Sequence, residues 1–230
     1  MQSRLRRYVR AHGTRQASIE VGRRLRRLAY TEEQLIVLLK DLSSITEPLR
    51  RDVVRLEDLG PEHLPQLAEL NRKRGQPEAD RRFAQYVEQG FSGFVGYRGE
   101  DLAGYYWWVD SSRATMFPDL RELGLGIAVG SGEVYGSDFY LLEEHRGAGV
   151  AADFLFKLES SLAARGYSRI WGYVLSTNRP ARWIYSTRGY LPMWIVRRKR
   201  VLLVWRAARE DLGITTPKET RTMTRKEVAP

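Results

Sequence analysis

Between residues 137 and 190 the chain alternates strand-like and helix-like segments in a fixed order, and that order constrains the fold more than any other feature. "SDFYLL" (137–142) has the aromatic and apolar content of a strand, and "EEHRGAGVAA" (143–152) then gathers the smallest residues. Directly after them Phe154, Leu155, Leu158 and Leu162 recur at helical spacing up to Gly166. "SRIWGYVLS" (168–176) is a second strand, and "NRPARWIYSTRG" (178–189) is a short helix closed by Gly189. Strand, small-residue turn, helix, strand, helix is the layout of a sheet that carries helices.

The turn has a chemistry of its own. A helix start presents free backbone N–H groups and the positive end of the helix dipole, which together attract anions. Glycine and alanine there let a phosphate reach the backbone unobstructed. Arg146 adds a fork of donors suited to phosphate. Arg146, Gly147, Ala148, Gly149, Val150 and Ala151 therefore read as a pyrophosphate cradle, or else as a glycine turn that only changes the chain's direction.

The remainder fits a mixed α/β (α+β) layout, helices against a mostly antiparallel sheet. "DVVRLE" (52–57) reads as a strand, Pro61 as part of a first helical turn, and Leu64, Leu67 and Leu70 as one apolar helix face. "RRFAQYVEQG" (81–90) is a second helix, and "GFVGYRGEDLAGYYWWVD" (93–110) a hairpin turning at "RGED". "LPMWIVRRKRVLLVWRA" (191–207) reads as two strands joined at "RRKR". "LIVLLK" (35–40) is either a strand or a buried helical turn. "LGLGIAVGSG" (123–132) is rich in glycine but precedes a strand, so it fails the context of a dinucleotide-binding fingerprint and reads as a loop.

Composition removes several chemistries. There is no cysteine, hence no disulfide, thiolate zinc site or cysteine nucleophile, and no hint of secretion. The three histidines, His12, His63 and His145, are scattered among charged residues, which argues against a zinc hydrolase or a Ser-His-Asp enzyme; no metal site is expected. The formal net charge of +10 is concentrated in the first 30 residues, where nine arginines meet one acid, Glu20. The body is close to neutral, which disfavours nucleic acid as its partner. The arginines suit an anionic membrane face, a nucleic acid or an acidic partner, or simply a solvated arm.

The segment 133–195 closely resembles the GNAT superfamily of acyl-CoA-dependent N-acyltransferases, and the pattern extends back to about residue 51. Arg146-x-x-Gly149-x-Ala151 matches that family's R/Q-x-x-G-x-G/A loop, and a further strand leads to Asn178, Ala181 and Tyr185, closing on Gly189-Tyr190. The resemblance implies a GNAT fold and a soluble enzyme that moves an acetyl or other acyl group directly from acetyl-CoA or another acyl-CoA to a primary amine. It implies that the 146–151 loop holds the pyrophosphate and that Asn178 bonds the pantetheine arm. Backbone groups of Leu141 and Leu142 would pair with pantetheine amides, and Tyr185 would protonate the departing thiolate. Asn178 also reads as a plain helix N-cap. For the base, Asp138 on the motif strand, Glu133 and a water chain stay open.

The resemblance divides the chain into a basic extension (1–50), an acyltransferase domain (51–208) and a polar tail (209–230). Cytoplasmic residence, peripheral at a membrane if the arginines act there, is the expectation, and a homodimer is left open. The aromatic run Tyr105, Tyr106, Trp107, Trp108 and the later Trp194 read as core packing, or as the wall of an acceptor cleft. Two other classes remain. One is a catalytically silent CoA-binding module serving as sensor or scaffold, and the other a membrane- or nucleic-acid-associated protein driven by its arginines.

Overall fold

The computed structural model describes residues 30–49, 52–201 and 204–212. Along the chain these form β1 (Tyr30–Asp41), β2 (Arg55–Asp58), α1 (Leu64–Lys73), α2 (Ala79–Glu88), β3 (Ser92–Arg98), β4 (Asp101–Asp110), α3 (Pro118–Glu122), β5 (Glu133–Leu141), α4 (Val150–Ala164), β6 (Arg169–Leu175), α5 (Arg179–Thr187), β7 (Leu191–Val201) and β8 (Val204–Asp211). The strands make one sheet in the order β2-β3-β4-β5-β6-β1-β7-β8. Every neighbouring pair is antiparallel except β5 and β6, which run parallel. The expected mixed, mostly antiparallel sheet with helices is the observed fold.

Both faces of the sheet are covered, and this explains the unbroken aromatic run. Along β4, Tyr105, Trp107 and Val109 enter a core beneath α1 and α2, while Tyr106 and Trp108 enter a second core beneath α4. Alternate residues of a strand point to opposite faces, so a doubly covered strand reads as continuously apolar. These four aromatics are at most 5% exposed and are core, not cleft wall. Trp194 is buried as well, its indole N–H donating to the Leu125 carbonyl at 2.8 Å.

On the second face the α4 stripe of Phe154, Leu155, Leu158 and Leu162 is wholly buried, and each side chain contributes about 1.5–3 kcal/mol. Gly96 on β3 admits the Phe154 ring where a Cβ would collide with it. Asp153, in the first turn of α4, accepts the backbone N–H groups of Val53 at 3.0 Å and Val54 at 2.9 Å. It thereby ties that helix start to the entry of β2.

"LIVLLK" is part of β1, paired with β6 on one side and β7 on the other. Tyr30–Asp41 is thus built into the sheet, although the sequence places it within a basic extension. Most of that extension, including the nine arginines of the first 30 residues, lies outside the described residues. "RRKR" is not a turn: Arg197–Arg200 lies inside β7. Its cations find acids on neighbouring strands, Arg197 with Glu210 at 2.8 Å, Arg198 with Glu33 at 3.4 Å and Lys199 with Glu32 at 3.8 Å. β8 continues to Asp211, three residues into the expected tail, and residues 213–230 lie outside the described residues. Among the described residues no helix is long and apolar enough to cross a membrane.

Candidate active site

β5 and β6 pair at only three positions, Glu133 with Arg169, Val134 with Ile170 and Tyr135 with Trp171. Beyond these the two strands run on, to Leu141 and Leu175, without pairing to each other, so the sheet forks. A bulge marks the place. Ser137 pairs with Trp107 and Tyr140 with Tyr105, so Asp138 and Phe139 together oppose Tyr106 alone. Asp138 has φ 49°, and such an extra residue bends its strand. Glycines sit where the strands part. A Cβ on Gly136 would overlap the Tyr106 hydroxyl, and one on Gly172 would lie 3.4 Å from the Gly136 carbonyl.

At the end of β5 the backbone groups divide between the sheet and the fork. Leu142 donates its N–H to the Ala103 carbonyl at 2.9 Å, so of the two expected backbone donors this one is taken up within the sheet. Backbone groups alternate sides along a strand, so the Leu141 N–H faces the fork. The Leu141 carbonyl accepts from Arg146 Nε at 3.1 Å. Arg146 also reaches Glu143 at 3.4 Å and lies 5.6 Å from the Tyr140 ring centroid.

The loop that follows has three successive left-handed residues, Gly147 (φ 95°), Ala148 (φ 47°) and Gly149 (φ 85°). This turn sets Val150 at the first position of α4. Val150 donates to the Gly147 carbonyl at 3.0 Å and Asp153 to that of Gly149 at 2.9 Å. Among the described residues the N–H groups of Gly147, Ala148, Gly149, Ala151 and Ala152 meet no acceptor. A Cβ on Gly147 would meet nothing within 4 Å. Open space beside several bare N–H groups and a guanidinium fits a pyrophosphate.

α5 brings up the second element. Asn178 is its N-cap, the side-chain carbonyl accepting from the Ala181 N–H at 3.2 Å. Tyr185 lies on the face turned to the second core, half-buried, its ring edge-on to Tyr190 with centroids 4.8 Å apart. Burial, with Glu159 adding to it, pushes the Tyr185 hydroxyl well above the ordinary tyrosine pKa. The helix is moored beneath by Arg188, which bonds the Glu159 carboxylate and the Thr46 carbonyl. Lys40 reaches the same buried region from β1 and donates to the Ser44 carbonyl at 2.8 Å. Burial, outweighing the attraction of Glu159, lowers its pKa.

The two carboxylates read from the sequence as bases are both engaged. Asp138 accepts from Arg82 at 2.7 Å and lies 3.6 Å from Arg74, whose guanidinium also meets the Tyr105 hydroxyl. Glu133 accepts from the Trp171 indole at 2.8 Å, the Gly130 N–H at 2.9 Å and Arg169 at 3.2 Å. Burial raises the Glu133 pKa, but these bonds outweigh it and hold the carboxyl below its ordinary range.

A third carboxylate, Asp119 on α3, was not singled out by the sequence. Its oxygen accepts from the Ser137 hydroxyl, with the Tyr135 hydroxyl at 3.4 Å. The signal available was "FPDLRE", a proline and an acid opening a short helix. That pattern gives a helix start but not a destination. Arg74, Arg82 and the Lys40–Glu159–Arg188 group were likewise unread, because each depends on segments far apart in the chain.

The model of the GNAT acetyltransferase family matches residues 59–190, more than half of the chain. No curated protein matches the sequence. Among solved structures, a functionally unknown conserved protein from Staphylococcus epidermidis superposes with a TM-score of 0.56 at 11% identity, over 76% of this chain and 64% of that one. A GCN5-related N-acetyltransferase from Sphaerobacter thermophilus gives 0.52 at 11% identity, over 81% and 56%. A tandem GNAT protein from the clavulanic acid biosynthesis pathway gives 0.51 at 14% identity, over 80% and 55%. The chain thus spans less than two thirds of the length of each.

Proposed function

The chain belongs to the GNAT acetyltransferase family, and from that premise we propose that it transfers an acetyl or other short acyl group from acyl-CoA to a primary amine. The observation that carries this reading is the fork. A bulged β5 parts from β6 beside a run of unpaired N–H groups at the start of α4. Pyrophosphate is held by the N–H groups of Gly147, Ala148, Gly149, Ala151 and Ala152 with Arg146, and the pantetheine arm runs along the unpaired edge of β5, where the Leu141 N–H is available. Asn178 offers its side-chain amide from the other wall while its carbonyl caps α5.

Transfer requires an unprotonated amine beside the thioester, a donor to its carbonyl oxygen and a proton for the departing sulfur. Tyr185 supplies the proton. Its burial keeps the hydroxyl protonated in neutral solution, and the same apolar surroundings raise the basicity of a nascent thiolate. With no cysteine to carry the acyl group, direct transfer within a ternary complex is favoured. Asp138, between two guanidiniums, is assigned to holding the bulge and not to proton removal.

The test is thiol release from acetyl-CoA by the full chain with ethanolamine, spermidine or a lysine peptide as acceptor, alongside calorimetric titration of acetyl-CoA. Binding together with amine-dependent thiol release is expected. A chain that binds no acetyl-CoA would falsify the reading.

A further inference from the structure

The fork has two sides with different electrostatics. On the side of α4 and α5 stand Tyr185 and the phosphate loop. On the other side, beneath α1, α2 and α3, three carboxylates lie on or against β5, and two of them are held by cations and other donors as described. Asp119 is different. Among the described residues it makes no ion pair, one of its oxygens is bonded by hydroxyls, and the other accepts no hydrogen bond. Its partner Ser137 is the residue just before the bulge, two residues after β5 last pairs with β6. Tyr173, on β6, is close enough to feel its charge. Asp119 therefore addresses both walls of the fork, from the face opposite Tyr185.

We propose that Asp119 is the catalytic base, a carboxylate that takes a proton from the acceptor's ammonium group as the amine enters the fork. This rests on the acyltransferase reading above. The step balances without any further reactant. The ammonium gives one proton to Asp119, and the freed nitrogen pair forms the N–C bond to the thioester carbonyl carbon. The C–S bond then breaks, its electron pair leaving on sulfur, which takes the Tyr185 proton. The second N–H proton restores Tyr185 through solvent, and Asp119 returns its proton to solvent. Base and acid thus stand on opposite faces of the sheet, with the thioester between them.

The environment suits the role. Burial pushes the Asp119 carboxyl above its ordinary range, and the charge of Asp138 adds to this, against the lowering effect of Ser137, Tyr135 and Arg82. The groups that face it are Arg82 and Tyr86 from α2, Tyr135, Ser137 and Asp138 from β5, and Tyr173 from β6. A base whose pKa is raised toward the working pH is the stronger proton acceptor, provided the pH lies above that value. The rate should therefore climb with pH through the Asp119 titration and then level.

The experiment compares wild type with Asp119→Asn and Asp119→Glu, each as the full chain. Thiol release from acetyl-CoA is followed against pH with ethanolamine, spermidine and water as acceptors, and acetyl-CoA affinity is measured in parallel. Asp119→Asn should lower turnover about 100-fold or more and abolish the acidic limb of the profile, while acetyl-CoA affinity stays within about twofold. Asp119→Glu should recover part of the rate. Turnover of Asp119→Asn within about threefold of wild type, or an unchanged acidic limb, overturns the proposal. Binding of acetyl-CoA with no thiol release by wild type toward any acceptor overturns it too. Failure to bind acetyl-CoA at all strikes the acyltransferase reading instead.

Discussion

The two faces of the sheet solve opposite problems. On the α4–α5 face the groups left open to a ligand are backbone: the bare N–H groups of Gly147, Ala148, Gly149, Ala151 and Ala152 and the N–H of Leu141. Its buried charges are closed among themselves, with Glu159 paired to Arg188 and Asp153 bonded to the start of β2. On the α1–α3 face the groups beside the fork are side chains, and the charges there are unequally neutralised, Asp138 by two guanidiniums and Asp119 by none. The first face can bind an invariant group such as a pyrophosphate through the main chain. The second meets the fork through side chains of opposite charge, Arg74 and Arg82 beside Asp138 and Asp119.

Breaking the closed side should have the largest effect. Glu159→Ala leaves Arg188 buried without its partner, and a loss of about 3–5 kcal/mol is expected by urea unfolding. Tyr185→Phe keeps the ring against Tyr190 but removes the proton, so kcat should fall about 10²- to 10³-fold with acetyl-CoA affinity unchanged. Gly149→Glu puts an acid where the loop receives phosphate. Acetyl-CoA affinity should drop about 100-fold by calorimetry, while the far-ultraviolet circular dichroism is retained.

Subtler changes sharpen the contrast on the open side. Asp138→Asn should alter kcat less than about tenfold, because asparagine tolerates the same positive φ and so keeps the bulge without the two ion pairs, and the residue carries no proton; a loss as large as that of Asp119→Asn would reverse the two assignments. The smallest effect is on stability. Since the folded pKa of Asp119 is raised, the stability it contributes is present below the ordinary carboxylate range and is lost as pH rises through the raised value. At neutral pH Asp119→Asn should therefore unfold at the same urea concentration as wild type or a higher one.

The same contrast explains what could be read from the chain. The phosphate loop, Asn178 and Tyr185 sit within forty residues of one another, in a spacing fixed by a strand, a turn and two helices. The hairpin at Gly99 and the α4 stripe follow from local periodicity and turn chemistry. β1 was ambiguous because a short apolar run fits a strand or a helical turn, and only pairing with β6 and β7 decides it. "RRKR" resembled a turn because its acids, Glu32, Glu33 and Glu210, are supplied by other strands. Asp119 gained its environment from Ser137 and Tyr135, 16 to 18 residues away, and from Tyr173 on another strand, which no local pattern announces.

The measurement that bears most directly on this division is hydrogen exchange of the full chain with and without acetyl-CoA. Slower exchange at the amides of Leu141, Gly147, Ala148, Gly149, Ala151 and Ala152, with the 112–122 segment, which includes α3, unchanged, is the predicted result. Protection confined to the α1–α3 face, or no change at the 147–152 amides while acetyl-CoA is bound, would contradict the account.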